Sequence, residues 1–70
     1  MPAFTIIYSN ENLDKLIKET VFMKNLGGAK RSALANAPLT TQYIEIYDLM
    51  GTCLGQKHNE SPWIVPSTNE

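Results

Sequence analysis

Tyr43-Ile44-Glu45-Ile46-Tyr47-Asp48-Leu49-Met50-Gly51-Thr52-Cys53-Leu54-Gly55-Gln56-Lys57 is the stretch on which the fold turns. Its first residues alternate. Successive strand side chains point to opposite faces, so Ile44 and Ile46 share one face while Tyr43, Glu45 and Tyr47 share the other. Residues 42–49 therefore predict a strand. Met50-Gly51 predicts a tight turn, because glycine adopts positive φ without steric cost. Residues 52–57 predict the antiparallel return. His58-Asn59-Glu60-Ser61 is polar and reads as a second turn. Pro62 has no N–H and belongs at a strand start or edge, which leaves Trp63-Ile64-Val65 as a short last strand. Residues 66–70 are expected to form a frayed tail after a single domain over 1–65.

Upstream of this hairpin, Asn25 is placed to cap a helix. Leu26, Ala29, Ala33 and Ala37 follow at helical spacing and form a narrow, alanine-rich apolar stripe. Small side chains there let the helix axis lie close to a sheet. Gly27 and Gly28 loosen the first turn, and Pro38 ends the helix because the residue before a proline is driven out of the α region. Residues 4–8, Phe4-Thr5-Ile6-Ile7-Tyr8, are rich in β-branched and aromatic side chains and read as a strand. Residues 13–23 fit two patterns. A helix places Leu13, Leu16, Ile17, Thr20 and Val21 on one stripe; a strand alternates Ile17, Glu19, Val21 and Met23 with Leu16, Lys18, Thr20 and Phe22. Thr20-Val21-Phe22 favours the strand, paired as a hairpin with residues 4–8. The expected fold is α+β in the order β-β-α-β-β-β, an antiparallel sheet with one helix across one face.

Seventy residues with a formal net charge of −1 bound the function. A core of this size rarely supplies more than roughly 3–5 kcal/mol of net stability, which leaves little to hold a strained active site. Direct, sequence-specific nucleic-acid binding normally rests on a strong basic excess, and this chain has none. A lone cysteine, Cys53, does not fit a disulfide-stapled secreted domain and fits a reducing cytoplasm. The N-terminus has neither a basic region followed by a long apolar run nor any segment of membrane-spanning length.

No residue set suggests catalysis, a metal or a cofactor. His58 and Cys53 are too few for a metal site, which needs several converging ligands. As a nucleophile and base they would stand five residues apart on an extended chain, roughly 16 Å. Cys53 reads as a half-buried apolar residue and His58 as a solvated turn residue. Glu11, Asp14, Glu45 and Asp48 read as solvated charges. The expected activity is therefore binding of another macromolecule.

The helix is expected to cover the Ile44/Ile46 face, which turns Tyr43, Glu45 and Tyr47 to the opposite side. Tyrosines are enriched among energetically dominant interface residues, so these three are the first candidates for partner contact. The structural alternative is that the tyrosines pack across strands on Leu54. Lys15 and Lys18, and Lys30 and Arg31 at the helix start, are candidates for a basic contribution to the same contact. Trp63 reads as a packing residue.

Asn25-Leu26-Gly27-Gly28-Ala29-Lys30-Arg31-Ser32-Ala33, Tyr43-Ile44-Glu45-Ile46-Tyr47-Asp48-Leu49-Met50-Gly51, a polar turn, and Pro62-Trp63-Ile64 occur in this order over residues 25–64. Over this span the chain resembles the compact phage-encoded anti-CRISPR proteins of β-β-α-β-β-β type, in particular inhibitors of type I-F systems. The resemblance implies an inhibitor that binds a Cascade-type CRISPR surveillance complex in the host cytoplasm and stops target DNA from pairing with guide RNA. A second expectation, from a different class, is a structural or regulatory module that pairs with a second copy of itself through an edge strand.

Overall fold

A computed structural model describes residues 2–65. The chain forms β1 (Ala3–Ser9), β2 (Lys15–Phe22), α1 (Leu26–Asn36), β3 (Tyr43–Tyr47) and β4 (Cys53–His58). The strands make one antiparallel sheet in the order β2-β1-β3-β4. This is the α+β architecture expected from the sequence. The expected tail over 66–70 lies outside the described residues.

The ambiguous segment 13–23 is a strand. β2 pairs with β1 from Ala3↔Phe22 to Ser9↔Lys15. β1 also pairs with β3 from Thr5↔Tyr47 to Ser9↔Tyr43. β1 is thus an inner strand, bonded on both sides, and nearly all of it is buried. β2 and β3 are both antiparallel to β1, so the connection between them has to cross β1. That connection contains α1, which packs on β1 and β3.

The helix begins and ends for the reasons its sequence gives. The Asn25 side chain accepts a hydrogen bond from the Gly28 N–H at 2.8 Å, and Ala37 before Pro38 turns to an extended conformation. Ala29 and Ala33 are fully buried. They join Phe4, Ile6, Tyr8, Ile44 and Ile46 in one core cluster, with Val21, Met23, Leu26, Ala37, Leu54 and Trp63 packed around it. The molecule measures 29 × 29 × 19 Å. A helix with its side chains is about 10 Å across, so among the described residues the short dimension holds one sheet and one helix and no third layer.

The expected fifth strand, the sixth element of the predicted order, is reduced to a single bridge among the described residues. Gln56 and Ile64 exchange two backbone hydrogen bonds of 2.9 Å. Pro62 cannot donate to the ladder, and only this one pair forms. Trp63 still reaches the helix side of the sheet, where the Lys30 ammonium lies 5.4 Å from its ring centroid. Gly55 makes room for this: a Cβ there would meet Lys30 Cε at 3.4 Å and Trp63 Cε3 at 3.6 Å.

Two irregularities change which residues share a face. Between Tyr8↔Ile17 and Ser9↔Lys15, Leu16 is the extra residue of β2. Between Ile46↔Gly55 and Tyr47↔Cys53, Leu54 is the extra residue of β4. Each bulge shifts the alternation by one place.

Tyr8 ties the core to the outer strand. Its side chain is buried, and its hydroxyl donates to Glu19 Oε2 at 2.8 Å. Burial, then the hydrogen bond to Glu19 and its charge, push the phenol pKa upward. An unfolded tyrosine ionises near about pH 10. Above that pH the unfolded chain sheds a proton that folded Tyr8 retains, so stability falls as pH rises. Tyr8→Phe is expected to lower stability at pH 7 by about 1–2 kcal/mol, since the lost hydrogen bond involves a charged group. It should also flatten the decline above about pH 10. Urea unfolding from pH 7 to 11 measures both; an unchanged alkaline slope would refute the assignment.

Candidate functional site

The sheet face away from α1 is organised in transverse rows set by register. One row is Thr20–Thr5–Tyr47–Cys53, the next Lys18–Ile7–Glu45–Gln56, and the third Lys15–Ser9–Tyr43–His58. Tyr43, Glu45 and Tyr47 therefore stand on the open face, as the alternation of β3 requires. Lys15 and Lys18 join them from β2. Without the bulge at Leu16 these lysines, three residues apart, would fall on opposite faces.

Lys30 and Arg31 do not belong to this surface. Both are on α1, in the other layer. Lys30 lies over Trp63. Arg31 is exposed, and its guanidinium lies by the helix start, 3.6 and 3.9 Å from where Cβ atoms on Gly27 and Gly28 would sit. The expected basic set is thus divided between two sides of the molecule.

The tyrosines are not packed on Leu54. The β4 bulge sends Leu54 to the core cluster. The same shift brings His58 opposite Tyr43, and the two rings stack at a centroid distance of 4.2 Å and an interplanar angle of 3°. His58 is accordingly the last residue of β4, exposed but stacked, rather than a residue of the following turn. Tyr47 donates its hydroxyl to Glu45 Oε1 at 3.3 Å. Burial and the neighbouring Glu45 charge raise the Tyr47 pKa, so the phenol stays protonated at neutral pH and holds the carboxylate in place.

Two shallow clefts flank this Tyr47–Glu45 pair. One, about 330 Å³, is lined by Thr5, Ile7, Lys18 and Tyr47 together with the Asp48–Gly51 turn. That turn is fixed by Asp48, whose Oδ1 accepts from the Met50 and Thr52 N–H groups at 2.9 Å each. Gly51 supplies the required positive φ of 88°. The other cleft, about 470 Å³, runs from Leu13 past Tyr43, Glu45, Gln56 and His58 to Pro62 and Ile64. The face is electrically graded, with lysines on the β2 side and Glu45 among aromatic rings on the β3–β4 side.

Cys53 is half-buried, and its thiol donates to the Gly55 carbonyl at 3.6 Å. Burial leads the causes that push the thiol pKa up, which lowers the thiolate fraction needed of a nucleophile. Among the described residues, no three His, Cys, Asp or Glu side chains gather as metal ligands would. No described helix is long and apolar enough to cross a membrane.

Compared with protein-family models, with curated proteins and with solved structures, the chain matches none of them.

The open face makes a separable prediction about stability. Tyr43→Ala and Tyr47→Ala each remove a half-buried side chain from a face with no layer above it. Each is expected to cost about 1 kcal/mol or less. Ile46→Ala, by contrast, opens a cavity in the core and should cost about 2–5 kcal/mol. Thermal unfolding of the three variants measures the contrast. Tyrosine variants as unstable as Ile46→Ala would place these side chains in the core.

Proposed function

We propose that this protein is a non-enzymatic inhibitor that binds a bacterial CRISPR surveillance complex and blocks target DNA recognition. It would do so in the host cytoplasm, through the open face of its sheet. The observation that carries a binding role is the gathering of Tyr43, Glu45 and Tyr47 with Lys15 and Lys18 on a face that, among the described residues, no second layer covers. Rigid aromatic side chains on a fixed sheet lose little entropy on association and are typical of dominant contact residues. The identity of the partner rests on the resemblance of residues 25–64 to type I-F anti-CRISPR proteins. A surface that holds nucleic acid is basic, and Glu45 offers such a surface a complementary charge.

A second reading, pairing of two copies through an edge strand, is favoured by one feature: among the described residues the outer edge of β2 has no neighbour in the sheet. Its sequence works against that use. Two antiparallel copies related by a twofold axis put the residue at the axis opposite itself. Registers centred on the middle of β2 then oppose Lys18 with Lys18 or Glu19 with Glu19, and like charges directly opposite are destabilising. Edge lysines are a common way to discourage strand addition.

Purified type I surveillance complex is expected to retain the chain in a pull-down, and cells expressing the chain should lose CRISPR interference. The double variant Tyr43→Ala/Tyr47→Ala should bind at least about tenfold more weakly, as loss of two anchoring residues implies. No retention by any type I complex, with interference intact, would overturn the proposal. A stable dimer in sedimentation at micromolar concentration would favour the edge-strand reading instead.

A further inference from the structure

The cleft on the Tyr43 side has a composition of its own. Its charged wall is Glu45, whose Oε1 accepts the Tyr47 hydroxyl at 3.3 Å. Its aromatic wall is the Tyr43–His58 pair, whose inner faces cover each other at 4.2 Å, so what the pair offers a ligand is an outer ring face. Gln56 lies next to Glu45 in the same row, and Ile64 closes the far side, pinned to Gln56 by two backbone hydrogen bonds. Lys57, the other charged residue at this cleft, turns its ammonium to the Asn59 carbonyl. The cleft therefore offers one oriented carboxylate beside aromatic surface, with apolar groups at its ends.

Leu13 stands at the other end. It is held at φ 66°, in the left-handed region, and is 64% exposed. A non-glycine residue there costs energy that the surrounding turn must hold. Here the Asn10 side chain does so, accepting from the Asn12 and Asp14 N–H groups at 2.9 and 3.0 Å. The strained turn holds a largely exposed apolar side chain on the lining of the cleft.

We propose that this cleft receives a guanidinium group, an arginine side chain presented by the protein partner. A planar cation stacks on aromatic rings, and its donor fork matches a carboxylate. A lysine ammonium satisfies the charge and not the flat ring face. The partner's arginine pairs with Glu45 and lies on the outer face of Tyr43, with its aliphatic stem against Leu13. This proposal rests on the reading that the open face is the binding face, and it adds the chemistry that the face selects.

The probe is N-acetyl-arginine methylamide, titrated into the full chain and followed by amide and aromatic chemical shifts. The neutral citrulline analogue and the lysine analogue serve as comparisons. Saturable shifts at Glu45, Gln56, His58 and the Tyr43 ring are expected with the arginine probe, at millimolar affinity. Glu45→Gln, if its melting temperature is unchanged, should weaken binding by about tenfold, the loss of one charge-assisted pair. Leu13→Gly should weaken it while leaving stability equal or higher, since the strain is relieved. If Glu45→Gln unfolds, the citrulline comparison alone decides. No saturable shifts, equal shifts with citrulline, or equal affinity for lysine would overturn the proposal. The test needs no partner. Arginine binding without binding of a CRISPR complex would therefore uphold the cleft and reject the partner, and the reverse result would reject the cleft alone.

Discussion

Ala29 and Ala33 lie against the isoleucines of β1 and β3 with no surface left exposed, and this contact determines what the other side of the sheet can do. The crossover from β2 to β3 has to pass over β1, so its helix lands on that face. Methyl side chains let it settle close to Ile6, Ile44 and Ile46, each of whose burial contributes about 1.5–3 kcal/mol. One eleven-residue helix packs on one side of the sheet, over β1 and β3. The opposite face is left to water or to a partner. Its composition suits both: lysines, Glu45 and Gln56 that water can solvate, with tyrosines large enough to anchor a contact.

Much of this was legible in the sequence. The alternation in Tyr43–Tyr47 decides which face is buried, Asn25 and Pro38 bound the helix, and the alanine stripe identifies its packing side. Intrinsic preference also decides correctly for a strand in the ambiguous segment, because Thr20, Val21 and Phe22 suit a pleated surface. The last strand was overestimated, since Trp63-Ile64-Val65 has the right side chains but Pro62 limits the ladder to one bridge.

Two physical causes hid the rest: strand bulges and the separation of layers. A β-bulge leaves no distinct mark in side-chain pattern, and each one reassigns every residue beyond it. In β4 the extra residue is Leu54, and it moves His58 opposite Tyr43 to create the stacked pair. In β2 it is Leu16, and it brings Lys15 to the same face as Lys18. Lys30 and Arg31 are close to the other lysines only along the chain. The fold separates them, because the helix that carries them belongs to the other layer. The cleft residues Leu13, Gln56 and Ile64 come from three separate segments, and register alone assembles them.

The central claim is that the open sheet face, and not the helix layer, meets the partner. Hydroxyl-radical footprinting of the chain, free and bound to a type I surveillance complex, tests it most directly. Binding through the open face is expected to lower the reactivity of Tyr43, Tyr47 and His58 while Arg31, Leu34 and Trp63 keep theirs. Protection of the helix residues with the tyrosines unchanged would contradict it.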